Sequence, residues 1–244
     1  SAVRGVLLPS PYTSQDSIDD ALETASLLGI HTDTIPITPA MQIYQHALEP
    51  VFETITHPKS GSDLITVDWI EDPAVGGNIQ ARIRGQILMA ISNKTGYMLL
   101  STGNKSEIAV GYTTLYGDAC GGYNVLKDLY KTGVYEVARW RNTQGKVIPL
   151  RSISKAPSAE LKPDQKDSDQ LPPYDILDMI LEQHIEGRRT EAELVAEGFD
   201  AQMVARVVKL VKLAEYKRRQ SCPGVKLSSM MFGRDRRFPL TNQT

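Results

Sequence analysis

The chain has 244 residues and a net charge of −2, with hydrophobic residues at 41% and charged residues at 23%. That length accommodates one large domain or two small ones, and it buries a core without disulfide or metal staples. Near-neutral charge argues against a nucleic-acid track, so an anionic ligand has to be met by a local basic cluster. The elements are legible in order. Val6 to Leu8 is a short apolar strand closed by Pro9-Ser10-Pro11. A helix follows, with Ser17 as its expected cap, an apolar stripe of Ile18, Leu22, Ala25 and Leu28, and Gly29 at its end. His31 to Ile37 reads as a second strand and Met41 to Phe52 as a second helix. This alternation favours a parallel sheet covered by helices.

Residues 57–74 read as loop. Asn78 to Ile91 is a strong helix with Ile79, Ile83, Ile87 and Met89 along one side and Arg82 off that stripe. Tyr97 to Ser101 is an apolar strand running into Thr102-Gly103-Asn104-Lys105-Ser106-Glu107 and a helix from near Ile108. A strand, glycine turn and helix mark the carboxyl edge of a sheet, where open α/β folds place ligands. Gly117-Asp118-Ala119-Cys120-Gly121-Gly122 is a glycine-rich loop, and helical stretches follow to about Arg141. Residues 151–173, with Pro157, Pro163, Pro172 and Pro173 among polar residues, read as a long surface loop or lid. Tyr174 to Arg219 is amphipathic helix, and the tail from Ser221 is basic and irregular. The division expected is an α/β nucleotide-binding part over 1–150, the loop or lid over 151–173, and a helical part with a basic tail over 174–244.

Each motif has a bland reading beside its chemical one. Ser106 as a cap with Glu107 in the first turn is ordinary helix-end chemistry. The same pair also suits phosphate and Mg²⁺ at a helix start. The glycine loop by itself is a tight connection between helices, neither GxGxxG nor a Walker loop. Asn78 and Arg82, with Arg84 near them, fit a solvated helix flank, and Lys226 after Pro223-Gly224 fits an exposed turn. Cys120 and Cys222 form no CxxC or Cys/His set, and His31, His46, His57 and His184 show no metal spacing. Free thiols fit a reduced, cytoplasmic compartment. Arg4 is followed by too short an apolar run for a signal peptide, and no run reaches the roughly 18 residues of a membrane helix.

Taken in order, Gly5-Val6-Leu7-Leu8-Pro9-Ser10, Asn78-Ile79-Gln80-Ala81-Arg82-Ile83-Arg84-Gly85, Ser101 to Glu107, Gly111 to Asp118, Lys131 to Tyr135, Leu171 to Asp175 and Cys222 to Lys226 resemble the synthetase domain of glutamine-dependent NAD synthetases. The resemblance implies an adenine-nucleotide α-hydrolase (Rossmann-like) α/β fold with a helical C-terminal part. It implies ligase chemistry: Mg·ATP adenylates the nicotinate carboxylate of deamido-NAD, pyrophosphate leaves, and ammonia displaces AMP to give NAD. Position by position, Asn78, Arg82, Glu107 and Lys226 correspond to deamido-NAD contacts. Thr102, Lys131 and Ser158 correspond to ATP contacts, Glu107 to the Mg²⁺ ligand, and Glu107 with Lys131 to the catalytic pair. Deamido-NAD and ammonia are the implied substrates, a glutaminase domain or subunit the implied partner, and a homo-oligomer the implied assembly.

Three departures qualify the match. No Ser-Gly-Gly-x-Asp-Ser pyrophosphate loop occurs in the 244 residues; the family places it upstream of the first strand, and a domain opening abruptly in a core strand raises the expectation of further sequence before Ser1. Without that loop, weak or no ATP binding is expected. Gly76-Gly77 stands before Asn78 where acidic residues are usual. Leu115 and Gly122 replace the lysine and acid of several ammonia-dependent relatives, which fits the glutamine-dependent branch. Two other readings remain open: a non-catalytic remnant serving oligomerisation or nucleotide binding, and a different ATP pyrophosphatase of the same fold.

Overall fold

The computed structural model describes residues 2–52 and 73–240. The expected loop over 57–74 lies largely outside the described residues, which resume at Pro73. The N-terminal part is a strand–helix–strand–helix unit. β1 (Arg4–Leu7) pairs in parallel with β2 (His31–Thr34), Arg4 opposite His31 and Leu7 opposite Thr34. Between them runs α1 (Gln15–Leu27), and α2 (Thr38–Phe52) follows β2. The cap of α1 is Ser14 rather than Ser17: the Ser14 hydroxyl oxygen accepts the Ser17 N–H. Ser14 has the extended backbone that a cap needs, whereas Ser17 is already inside the first turn.

A five-residue π-helical turn, Pro73–Gly77, leads into α3 (Asn78–Thr95). β3 is confined to Leu100–Ser101, shorter than expected, because among the described residues it pairs only with the two-residue β4 (Tyr123–Asn124), again in parallel. Among the described residues the parallel sheet is thus present as two two-stranded pairs. α4 (Lys105–Val110) starts three residues before the expected position, and Asn104, not Ser106, caps it. The Asn104 side chain accepts the Glu107 N–H at 3.0 Å, and the Glu107 carboxylate accepts the Asn104 N–H at 3.1 Å. This reciprocal box satisfies two donors that a helix start leaves open.

α5 (Lys131–Thr143) and α6 (Leu150–Ser154) follow, and the 155–173 stretch crosses to α7 (Tyr174–Ile185). α8 (Glu191–Ala196), α9 (Ala201–Leu213) and α10 (Glu215–Arg218) complete the helical part. The core sits here. Leu177, Ile180, Leu181 and Ile185 of α7 meet Val204, Val207, Val208 and Val211 of α9, all at helical spacing, and Ile108 and Ala109 of α4 join them. The short helix that carries the central motif is therefore seated on the C-terminal bundle.

One buried ion holds α4 in place. Lys105 is fully buried, and its ammonium lies 2.7 Å from Asp128 and 2.5 Å from Glu186. It also donates to the Ser228 hydroxyl at 2.6 Å and the Met230 carbonyl at 2.8 Å. Asp128 in turn accepts the Leu227 and Ser228 N–H groups at 2.8 and 2.6 Å. Burial alone raises the Asp128 carboxyl, but the lysine and these donors outweigh it and hold the group below its ordinary value. Gly224 runs beside β4, where a side chain would come within 2.5 Å of the Asn124 carbonyl.

Replacing Lys105 with Met strands the buried Asp128 carboxylate and leaves Glu186 short of a partner, so stability is expected to fall by about 3–5 kcal/mol. Urea unfolding followed by circular dichroism measures it, and a loss below about 1 kcal/mol sinks the anchoring role. The contribution of Asp128 is present above the ordinary aspartate value of 3.8 and is lost as pH falls through its lower folded value. The difference between wild type and Asp128→Asn should therefore shrink in acid.

Candidate active site

A cleft of about 1170 Å³ opens beside the end of β1, the α3 face, the β3–α4 turn and the 155–170 segment. It brings together Asn78, Thr102, Glu107, Lys131 and Ser158, five of the seven residues singled out in sequence. Arg82 and Lys226 lie elsewhere. α3 turns about 100° per residue, so Asn78, Ala81, Gly85 and Leu88 share the stripe facing the cleft. Arg84 flanks that stripe on one side, and Arg82 falls past the other. Arg82 is exposed and donates to the Leu115 carbonyl at 3.2 Å. Lys226 is exposed in the tail, where it pairs with Asp235 and donates to the Ser229 carbonyl at 3.3 Å.

Glu107 and Lys131 form an ion pair in the cleft, with Nζ 3.3 Å from Oε1 and each side chain 19% exposed. The Lys131 ammonium also sits 5.4 Å from the Tyr174 ring centre and 5.8 Å from that of Tyr135, a favourable setting for a cation. Burial pushes the Glu107 carboxyl above its usual range, and Lys131 and the Asn104 N–H offset this only in part. A carboxylate held against its preference for water is one that a cation would stabilise.

Three successive residues of α4 face three partners. Lys105 points into the buried ion cluster and Glu107 into the cleft. Ser106 donates to Asp178 and accepts the Lys131 N–H at 2.9 Å. The other Asp178 oxygen accepts the Thr132 N–H and the Thr132 hydroxyl, each at 2.9 Å. Asp178, on the buried face of α7, thereby supplies the cap that Tyr130 does not give α5, and fixes Lys131 relative to Glu107. Sequence reading passed over Asp178; its signal was an acid next to Leu177 on an apolar stripe.

The 155–170 segment is tied to the cleft wall rather than lying free. Asp167 accepts the Tyr112 hydroxyl at 3.2 Å and the Tyr174 hydroxyl at 2.9 Å. Gln80 of α3 donates to the Leu161 carbonyl at 2.9 Å. Glu160 accepts from Ser14, Ser17 and Lys155. The Ser158 hydroxyl donates to the Gln165 carbonyl at 2.5 Å and accepts the Glu160 N–H, so it shapes the segment it belongs to. The glycine loop is not a connection between helices: it runs into β4 and lines the cleft through Gly117, Asp118 and Cys120. Gly85 of α3 lies so close to it that a side chain there would come within 2.8 Å of the Tyr116 carbonyl and 3.0 Å of the Cys120 sulfur.

Among the described residues no group of three or more His, Cys, Asp or Glu side chains suits a metal, and no helix is long and apolar enough to cross a membrane. A family model described as NAD synthase matches residues 1–221. The chain belongs to the NAD synthase family. Among curated relatives, the glutamine-dependent NAD(+) synthetase of Synechocystis sp. is 46% identical over 238 residues, which covers 98% of this chain and 40% of the relative. The solved glutamine-dependent NAD+ synthetase from Acinetobacter baumannii, described in complex with adenosine diphosphate, is 41% identical with a TM-score of 0.54, covering 98% of this chain and 40% of that one. The enzyme from Cytophaga hutchinsonii aligns with a TM-score of 0.78 over 98% of this chain and 39% of its own, at 22% identity, a likeness of fold. The chain thus spans about two-fifths of the length of the relatives it matches. NAD synthases are carbon–nitrogen ligases of the adenine-nucleotide α-hydrolase fold, as the resemblance implied.

Within this member of the NAD synthase family the Glu107 carboxyl should titrate above the ordinary glutamate value of 4.5. Because the folded state binds this proton more tightly than the unfolded chain, ionising it costs stability as pH rises through that window. Carboxyl carbon NMR should place the midpoint above 4.5 and should move it higher still in Lys131→Met. A downward move would show that Lys131 does not act on Glu107. Gly85→Ala is expected to cost about 1–3 kcal/mol, read as a lowered midpoint in thermal unfolding.

Proposed function

We propose that this chain carries the synthetase chemistry of NAD formation, in which the nicotinate carboxylate of deamido-NAD is adenylated and then amidated. The observation that carries the reading is the Glu107–Lys131 pair set in one cleft with Asn78, Thr102 and Ser158. In the first step the carboxylate oxygen attacks the α-phosphorus of ATP, and the bond to pyrophosphate breaks. In the second, ammonia attacks the activated carbonyl and AMP leaves with its bonding electrons.

Lys131 offsets the charge that gathers on the departing phosphates, an electrostatic role in a partly desolvated site. Its tyrosine surround and the Asp178 clamp hold it ready, so little reorganisation is needed during the reaction. Thr102 follows β3 and lines the nucleotide side. Asn78, already accepting the Thr114 hydroxyl at 2.7 Å, lines the side assigned to the dinucleotide. Glu107 would hold Mg²⁺ alongside the bound nucleotide, since one partly buried carboxylate suits an ion that takes most of its other ligands from substrate and water. When bound, it would neutralise phosphate charge.

Arg82 and Lys226 contribute to deamido-NAD on this reading from outside the cleft wall. Ammonia comes from a glutaminase domain or subunit, and the protein acts in the cytoplasm as a homo-oligomer. The anchored 155–170 segment shields the activated carboxylate from water.

The test has two parts. Calorimetric titration of the chain with deamido-NAD should show binding without ATP. In the chain extended upstream by a relative's pyrophosphate-loop segment, deamido-NAD, Mg·ATP and ammonium should yield NAD and AMP in equal amounts. Glu107→Gln should lower that turnover more than 100-fold, about 2.7 kcal/mol or more, with an unchanged circular dichroism spectrum. Normal turnover by Glu107→Gln would remove Glu107 from the chemistry.

A further inference from the structure

The cations lining the cleft are not equivalent. Lys131 is paired with Glu107. Lys155 donates to Ser14, Ser17 and Glu160 at 2.9, 2.9 and 3.0 Å. Lys217 donates to the Gly111 and Thr113 carbonyls, both at 2.7 Å. Arg84 differs. Its Nε donates to the Leu8 carbonyl at 3.0 Å, at the carboxyl end of β1. Among the described residues no hydrogen bond or ion pair engages its two terminal amino groups, and neither is a sealed-off, unsatisfied atom. The side chain is half-buried and lines the cleft. It is a fork of donors fixed at its root and open at its tip.

We infer that Arg84 is an anion-binding residue of the cleft, presenting its terminal amino groups to a phosphate or carboxylate oxygen pair of the bound ligand. Three physical points support this. A guanidinium taken out of water without a carboxylate in hydrogen-bond contact is unfavourable, and burial here presses the group away from its charged form, with the charge of Glu160 opposing. Such a group persists where a ligand supplies the counter-charge. The planar fork matches the spacing of two oxygens on one phosphorus or carbon. Its root at the end of β1 also fixes where the tip can reach, at the strand edge where such sheets receive ligands.

The inference rests on the proposed function for the identity of the ligand. Two ligands share the needed chemistry: the phosphate of an adenine nucleotide, and the anionic groups of deamido-NAD. Calorimetry on wild type, Arg84→Gln and Arg84→Lys, using AMP, adenosine and deamido-NAD as probes, separates them. The expected result is a loss of about 10- to 100-fold in Arg84→Gln for an anionic probe, the range for a hydrogen-bonded charged group, with adenosine unaffected and Arg84→Lys in between. A loss for AMP assigns the site to the adenine nucleotide. A loss for deamido-NAD with AMP unchanged assigns it to the dinucleotide.

Equal binding of both anionic probes to wild type and Arg84→Gln overturns the inference and leaves the proposed function standing. A parallel loss for adenosine together with a lowered thermal midpoint also overturns it, because Arg84 would then only brace β1 through Leu8. Failure of wild type to bind either anionic probe overturns both readings.

Discussion

A lysine with no access to water needs its charge answered on all sides, and Lys105 is such a residue. Meeting that need draws four parts of the chain together: the β3–α4 turn, the Asp128 loop, the end of α7 at Glu186 and the C-terminal tail at Ser228 and Met230. The Tyr130 hydroxyl adds to the same cluster by donating to Glu186 at 2.7 Å. Once Lys105 points inward, helix geometry aims Glu107 about 200° away, into the cleft. The direction of the proposed catalytic carboxylate follows from where its buried neighbour has to go.

Ser106, between the two, extends the argument to Lys131. Its hydroxyl lies between Asp178 and the first N–H of α5, so the helix carrying the ammonium is docked on the helix carrying the carboxylate. Asp178 is raised by burial and stabilised by Ser106 and Thr132. The pair at 3.3 Å is therefore held from behind by groups that never reach the cleft. Such support makes a site rigid without filling it. Across the cleft the 155–170 segment is fixed by the same logic, with Asp167 between two tyrosine hydroxyls and Glu160 among two serines and a lysine.

The alternation of strand and helix over the first 52 residues was readable because apolar runs and turn residues are local signals. The positions of Glu107 and Lys131 were readable through resemblance, since both sit in dense motifs. Caps were harder to place. Ser17 and Ser106 have the right chemistry, but Ser14 and Asn104 have the extended backbone a cap requires, and that is set by how the chain enters the helix. Strand length was overestimated at Tyr97–Ser101 because a strand extends only as far as its partner, and β4 is two residues long.

The sequence by itself determined the class of fold, the family, and the chemical types of the residues that matter, since periodicity and motif order are properties of the linear chain. Tertiary structure alone decided which charges are engaged and which are open. Arg82 and Arg84 are two residues apart and alike in sequence, yet one is turned to solvent and the other into the cleft, as their angle about α3 dictates. Lys105 and Lys131 are both lysines in motifs, yet one is a buried brace and the other lines the site. Burial and pairing depend on residues up to 146 positions apart, as in the bond from Ser14 to Glu160, and no local pattern encodes them.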